Sequence, residues 1–155
     1  MTRAEAAVPL ARLFAMAFRH LIDELHERLD ERGWPDHRPA FGFVLLAARE
    51  QPLTGSAIGD LLGMTKQAAS KLVDTMVDAG YVRRRPDPQD ARVKLVALTP
   101  RGHRLLDVVE EVYAELENDW TEVIGAGRLE AMRADLLDVL RARHGGALPA
   151  VRPTW

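Results

Sequence analysis

The sequence has no cysteine, and that absence removes disulfides, thiolate metal sites and thiol-based redox sensing together. It has no apolar run long enough to span a bilayer. Its start also lacks the pairing of a basic stretch with an apolar one that marks a secretory leader, so cytoplasmic residence is the expectation. Histidine is scarce, at five residues. His20 and His26 are six apart, on different faces of any helix, and no His-x-x-x-His occurs. Phosphate loops, Gly-x-Ser-x-Gly elbows and glycine-rich turns behind a strand are missing too, so the chain is not expected to be an enzyme. No metal or cofactor is implied.

What the sequence does have is enough apolar material for a core: 155 residues, 47% of them hydrophobic, fit one compact unit. The net charge of −2 says nothing in favour of nucleic acid, but its distribution does. From Thr65 to Arg104 nine basic residues face four acidic ones, an excess of five positive charges inside an acidic chain. A local basic stretch of this kind suggests a phosphate-facing surface.

Periodicity divides the chain. Leu10, Leu13, Phe14, Ala17, Phe18, Leu21, Leu25 and Leu29 form a helical stripe. Gly33, Pro35 and Pro39 break the chain after it, and a short apolar helix follows from Phe41 to about Arg49, closed by Pro52. Thr54 is placed to cap a third helix carrying Ile58, Leu61 and Leu62, which Gly63 stops. Thr65 caps the next, whose apolar positions Ala69, Leu72, Val73, Met76 and Val77 keep a helical period up to Gly80. Two short helices separated by Gly63-Met64 alone predict a helix-turn-helix.

After Gly80 the period changes to that of strands, at Tyr81–Arg84 and Val93–Leu98. The turn-rich Pro86–Asp90 lies between them, so a hairpin wing follows the second helix. Thr99-Pro100 starts a long helix through Leu105, Val109, Val112, Leu116, Trp120 and Val123, ended by Gly125 and Gly127. A last helix carries Leu129, Met132, Leu136, Leu137 and Leu140, and the tail from Gly145 to Trp155 is expected to be extended or loosely held.

The fold class is therefore mainly α with a small β-hairpin wing. A winged helix-turn-helix over 38–99 is flanked by helical dimerisation regions at 1–33 and 100–144, with the tail at 145–155. The flanking stripes, Trp120, Val123, Leu136 and Leu140 among them, exceed what a small winged helix can cover, which predicts a homodimer. On the helix after Thr65, the face opposite the core shows Thr65, Lys66, Gln67, Ser70 and Lys71, residue types suited to base edges and phosphates in a major groove. Arg83, Arg84, Arg92 and Lys94 add cations from the wing, with Arg92 aimed at a narrow minor groove and Asp90 supporting the loop. Arg83, Arg84 and Arg85 alternate faces, so one side contacts phosphate and the other can pair with helix carboxylates. A wing used for protein contacts alone is the rival reading, but such a wing has no reason to gather arginine.

This order of elements resembles the MarR family of bacterial regulators. The resemblance is carried by Ile58-Gly59-Asp60-Leu61-Leu62-Gly63-Met64-Thr65, by Asp78-Ala79-Gly80-Tyr81-Val82, by Asp90-Ala91-Arg92 in the wing and by Leu98-Thr99-Pro100-Arg101-Gly102 after it. Gly59 departs from the alanine usual there, at an expected cost on the order of half to one kcal/mol in helix propensity. The resemblance implies a repressor that binds a palindromic duplex as a homodimer and is released by a small molecule. It also implies a cleft between the wing domain and the outer helices for an aromatic or anionic effector. Phe14, Phe18, Trp34, His37, Arg38, Phe41 and Phe43 are its candidate lining.

Overall fold

A computed structural model describes residues 7–35 and 37–149. The order is α1 (Leu10–Glu31), α2 (Pro39–Glu50), β1 (Leu53–Thr54), α3 (Gly55–Leu62), α4 (Lys66–Asp78), β2 (Val82–Pro86), β3 (Lys94–Leu98), α5 (Pro100–Ile124) and α6 (Ala126–Arg143). The expected mainly helical fold with a hairpin wing is present. The last residues of the expected tail, 150–155, lie outside the described residues.

The helix-turn-helix follows from its caps. Thr54 Oγ1 accepts from Ala57 N at 3.1 Å and Thr65 Oγ1 from Ala68 N at 3.2 Å, so each helix has one otherwise orphaned donor satisfied by its own N-cap. Gly63 turns α3 into α4 with φ +63°, a left-handed conformation that any Cβ would strain. Gly59, which looks costly by propensity, stands at a close approach: a Cβ there would meet the Met64 carbonyl oxygen at 3.1 Å. Glycine lets the turn between α3 and α4 draw in.

Four details depart from the sequence reading. Pro39 does not break the chain before α2 but opens the helix at its first position, where a missing N–H costs nothing. Gly127 does not end α5 but falls inside α6, because Gly125 alone makes the turn. Trp120 is half-buried, whereas Val123 is 83% exposed. The hairpin gains a third strand: Leu53 pairs with Val96 and Thr54 with Leu95, giving the antiparallel order β1-β3-β2. With β2 at the edge, Pro86 can end the strand opposite Lys94 without removing an interior hydrogen bond.

One core joins all of this. Leu25 and Leu29 of α1, Phe41 and Leu45 of α2, Val73 and Met76 of α4, Val96 and Leu98 of β3, and Leu105 and Val112 of α5 are buried in a single cluster. The joint between wing and α5 is closely packed. Thr99 Oγ1 donates to Gly80 O at 2.5 Å and accepts from Gly102 N at 3.1 Å, while Thr99 N donates to Tyr81 O at 3.0 Å. A Cβ on Gly102 would stand 2.1 Å from Tyr81 O. This explains the Leu-Thr-Pro-x-Gly sequence: threonine caps, proline opens the helix, and only glycine lets it cross the strand end.

Candidate nucleic-acid interface

α4 and the wing flank one groove. The core holds Ala69, Val73 and Met76, so the helix period leaves Thr65, Lys66, Gln67, Ser70 and Lys71 exposed. β2 alternates against β3 with Val82 opposite Leu98, Arg83 opposite Ala97 and Arg84 opposite Val96. Alternation sets Arg84 on one face of the ribbon and Arg83 and Arg85 on the other. Between α4 and the ribbon runs a groove of about 510 Å³ lined by Ser56, Lys66, Ser70, Arg84, Arg92 and Lys94. Five of the residues singled out from sequence thus meet at one groove. Thr65, Gln67 and Lys71 on α4 and Arg83 on the opposite face of the ribbon are exposed and are not part of its lining.

The cations at this face differ in freedom. Arg84 is held to α4: its Nη2 donates to Asp74 Oδ1 at 2.6 Å. Arg92 lies at the wing tip with 92% of its side chain exposed, bonded through Nε to Asp90 Oδ1 at 3.1 Å. The same carboxylate accepts from Arg92 N at 3.1 Å and folds the tip. Hydrogen bonds from the Arg92 guanidinium, then from its backbone N–H, hold Asp90 below the usual carboxylate range. Lys66, Lys71, Arg83, Arg85 and Lys94 make no ion pair among the described residues. Arg101, counted in the basic stretch, is structural. Its Nε donates to Ala79 O at 3.1 Å, and its guanidinium lies 4.8 Å from the Trp34 ring centroid and 5.3 Å from that of Tyr81.

The candidate effector residues separate. An apolar cavity of about 400 Å³ opens between α1, α2 and α5, with Phe18, His37 and Phe43 in its wall. A second cavity of about 390 Å³ is lined by His37, Arg38 and Phe41 with Thr75, Asp78 and Ala79 of the α4 end. His37 borders both. Phe14 and Trp34 border neither: Phe14 is 46% exposed on α1, and Trp34 packs against Tyr81 with ring centroids 6.1 Å apart.

The sequence reading passed over His26, Glu110 and Tyr113, which also line the apolar cavity. The signal was there: Ile22, Leu25, His26 and Leu29 share the inner face of α1, and Leu106, Val109, Glu110 and Tyr113 that of α5. His26 and His37 stand with ring centroids 5.1 Å apart. His26 Nε2 and both ring nitrogens of His37 are buried with no hydrogen-bond partner among the described residues. Burial, and to a smaller extent neighbouring His26, lowers the His37 pKa to about 4. Burial also lowers that of His26, against the opposite pull of Asp30 and Asp23. Among the described residues no group of three or more His, Asp or Glu is arranged to hold a metal, and no helix is long and apolar enough to cross a membrane.

Comparison with known proteins agrees with this geometry. Residues 39–93 match the sequence model of the family described as MarR family. The HTH-type transcriptional regulator YkoM of Bacillus subtilis is 26% identical over 110 residues, 71% of this chain and 70% of YkoM. The reduced form of MarR from E. coli superposes with a TM-score of 0.73 at 27% identity, over 86% of this chain and 97% of that one. A MepR mutant from S. aureus, solved bound to an oligodeoxyribonucleotide, superposes with a TM-score of 0.62 at 22% identity, over 88% of this chain and 99% of that one. At that identity the likeness is one of fold.

Proposed function

We propose that this chain, similar to the MarR family over residues 39–93, is a winged-helix transcriptional regulator of that kind and not an enzyme: a repressor that binds a palindromic duplex site as a homodimer and leaves it when a small molecule binds. The observation that carries the reading is the groove between α4 and the wing, lined by Lys66, Arg84, Arg92 and Lys94, of which Lys66 and Lys94 have no carboxylate partner among the described residues. Thr65, Gln67 and Ser70 on the exposed face of α4 are the base-reading candidates, Lys66, Lys71, Arg83 and Lys94 the phosphate contacts, and Arg92 the minor-groove contact. Arg84 approaches phosphate while tethered to Asp74, with Asp90 supporting the tip.

Dimerisation is supported by apolar surface left open at both ends of the fold. α6 has no buried residue, and Leu136, Val139 and Leu140 are exposed there, as are Leu10, Leu13 and Phe14 on α1. Two-fold symmetry would then present two copies of α4 to successive major grooves. Release by an effector is supported by His37, which separates the apolar cavity from the cavity at the C-terminal end of α4.

Selection of bound sequences from a random duplex pool by the purified full-length protein tests the reading. Two inverted half-sites about one helical turn apart are expected. Enrichment of no sequence, or of a single unrepeated half-site, overturns it.

A further inference from the structure

One arginine of the basic stretch is turned inward. Arg101 stands in the first turn of α5, where that helix meets the end of α4 and the connection after α1. We infer that Arg101 is a specificity-determining positioning residue: it clamps the C-terminal end of α4 to the outer helices, and so fixes the distance between the two copies of α4 in the dimer and the half-site spacing that they accept. The inference rests on the palindromic reading above and names the residue that sets its spacing.

Three contacts make the clamp. Arg101 Nε donates to the carbonyl oxygen of Ala79, the C-cap of α4, at 3.1 Å. A helix C-terminus carries unpaired carbonyls and partial negative charge, and a guanidinium answers both. The guanidinium lies 4.8 Å from the Trp34 ring centroid and 5.3 Å from that of Tyr81. Trp34 N in turn donates to Leu29 O at 2.9 Å, which anchors the indole to the end of α1. A lysine is a point charge suited to one of these contacts, whereas the planar fork serves the carbonyl and the ring faces together.

The clamp closes one side of a hinge. Gly80 leaves α4 with φ +77°, a left-handed turn into β2. Thr99 holds Gly80 O and Tyr81 O, at and beyond the turn. Arg101 holds Ala79 O, before it. Without Arg101 the strand side stays fastened to α5 while the helix side loses its tie.

Leverage turns that tie into specificity. The exposed reading face, Thr65 to Lys71, lies at the opposite end of α4 from Ala79. The helix is about 18 Å long, so a tilt of about 10° at the clamp carries its first turn about 3 Å, close to the rise of one base pair. The two-fold axis repeats the shift in the partner, so a looser clamp lets the dimer meet half-sites that are one base pair out of place.

The test uses the full-length protein and symmetric duplexes built from the half-site that it selects, at the selected spacing and at one base pair shorter and longer. The wild type should bind the selected spacing about tenfold more tightly than either neighbour, the discrimination of one mismatched base pair. Arg101→Met keeps most of the stem and loses the fork. It should cut that ratio to about threefold or less and leave the salt slope unchanged, since Arg101 releases no counterion. Trp34→Leu, which removes the ring under the guanidinium, should lower the ratio in the same direction. Thermal melting checks that each variant is folded. Three results overturn the inference: folded Arg101→Met weakens all three duplexes by one common factor, its salt slope falls by a full unit as for a phosphate contact, or folded Trp34→Leu keeps the wild-type ratio. A wild type with no spacing preference sinks the palindromic reading along with the clamp. A preference that survives in Arg101→Met sinks the clamp alone.

Discussion

Arginine serves opposite ends in two regions of this molecule. In the outer helices it is a tie. Arg28 bonds Asp119 at 2.6 Å, Arg32 bonds Glu115 at 2.6 Å and Arg133 bonds Glu117 at 2.7 Å, each joining one helix to another. On the wing the same side chain is left available: Arg83 and Arg85 have no acidic partner among the described residues, and Arg92 has only the local carboxylate of Asp90. Neighbouring carboxylates, more than the count of cations, distinguish a surface built to meet phosphate from one already neutralised. The joint where the regions meet depends on contact distance at Gly102 and on one more arginine tie, Arg101, which bonds Ala79 O and lies over Trp34 and Tyr81.

Breaking the joint should have the largest effect. In Gly102→Ala the new methyl would overlap Tyr81 O, a backbone atom held by Thr99 N, so the start of α5 or the base of the wing must move. Overpacking without room to relax costs about 3 kcal/mol. Urea unfolding should show that loss, and duplex binding should fall further than stability alone explains, because the wing is displaced relative to α4. A fully stable variant would mean the joint is looser than its geometry.

Acid should come close to the same effect from inside. With His37 at about 4 when folded and 6.5 in the open chain, the unfolded state binds the extra proton. Stability from this group is therefore complete above about pH 6.5 and is lost as pH falls toward 4, a total of about 3 kcal/mol. His26, whose pKa burial also lowers, adds a slope of the same sign, and Glu115 and Asp90, held low by hydrogen bonds from their arginines, add theirs. Unfolding midpoints of the wild type and His37→Leu across that window isolate the His37 part, since the variant should keep only the slope of the other groups.

How much of this could be read in advance follows the range of each interaction. Thr54, Thr65 and Thr99 were legible as caps and Gly63 as a helix stop, because capping is decided within a few residues. Leu53–Thr54 as a strand was not legible, since two residues carry no period and the pairing partner is more than forty positions away. Composition counted Arg84 and Arg101 with the other cations. Only the fold shows one tied to Asp74 and the other laid over Trp34 and bonded to Ala79 O. His26 was set aside because its spacing from His20 suits no metal, while its true partner, His37, belongs to the loop before α2.

Within the open region the comparison sharpens at the wing tip. Arg92→Ala should cost on the order of 1–3 kcal/mol per contact on duplexes with A·T flanks, whose narrow minor groove concentrates negative potential, and less on G·C flanks. Titrations on two duplexes differing only in flank composition decide it. Equal losses on both would make Arg92 a phosphate clamp.

The smallest effects set the two regions directly against each other. Lys71 is exposed on α4 with no acidic partner among the described residues, whereas Arg133 lies between Glu117 and Glu130 at 2.7 and 3.3 Å. Lys71→Ala should leave stability unchanged, weaken binding to all duplexes about equally and reduce the salt slope by roughly one unit per subunit, because one phosphate contact releases about one counterion. Arg133→Ala should do the reverse. Its pair is 44% and 46% exposed, so solvent screening limits the stability loss to under about 1 kcal/mol, and the salt slope should not move. Melting curves and duplex titrations at two salt concentrations measure both variants. A slope change of a full unit in Arg133→Ala would place DNA against the outer helices and dissolve the distinction. An unchanged slope in Lys71→Ala would confine the phosphate contacts to Lys66 and the wing.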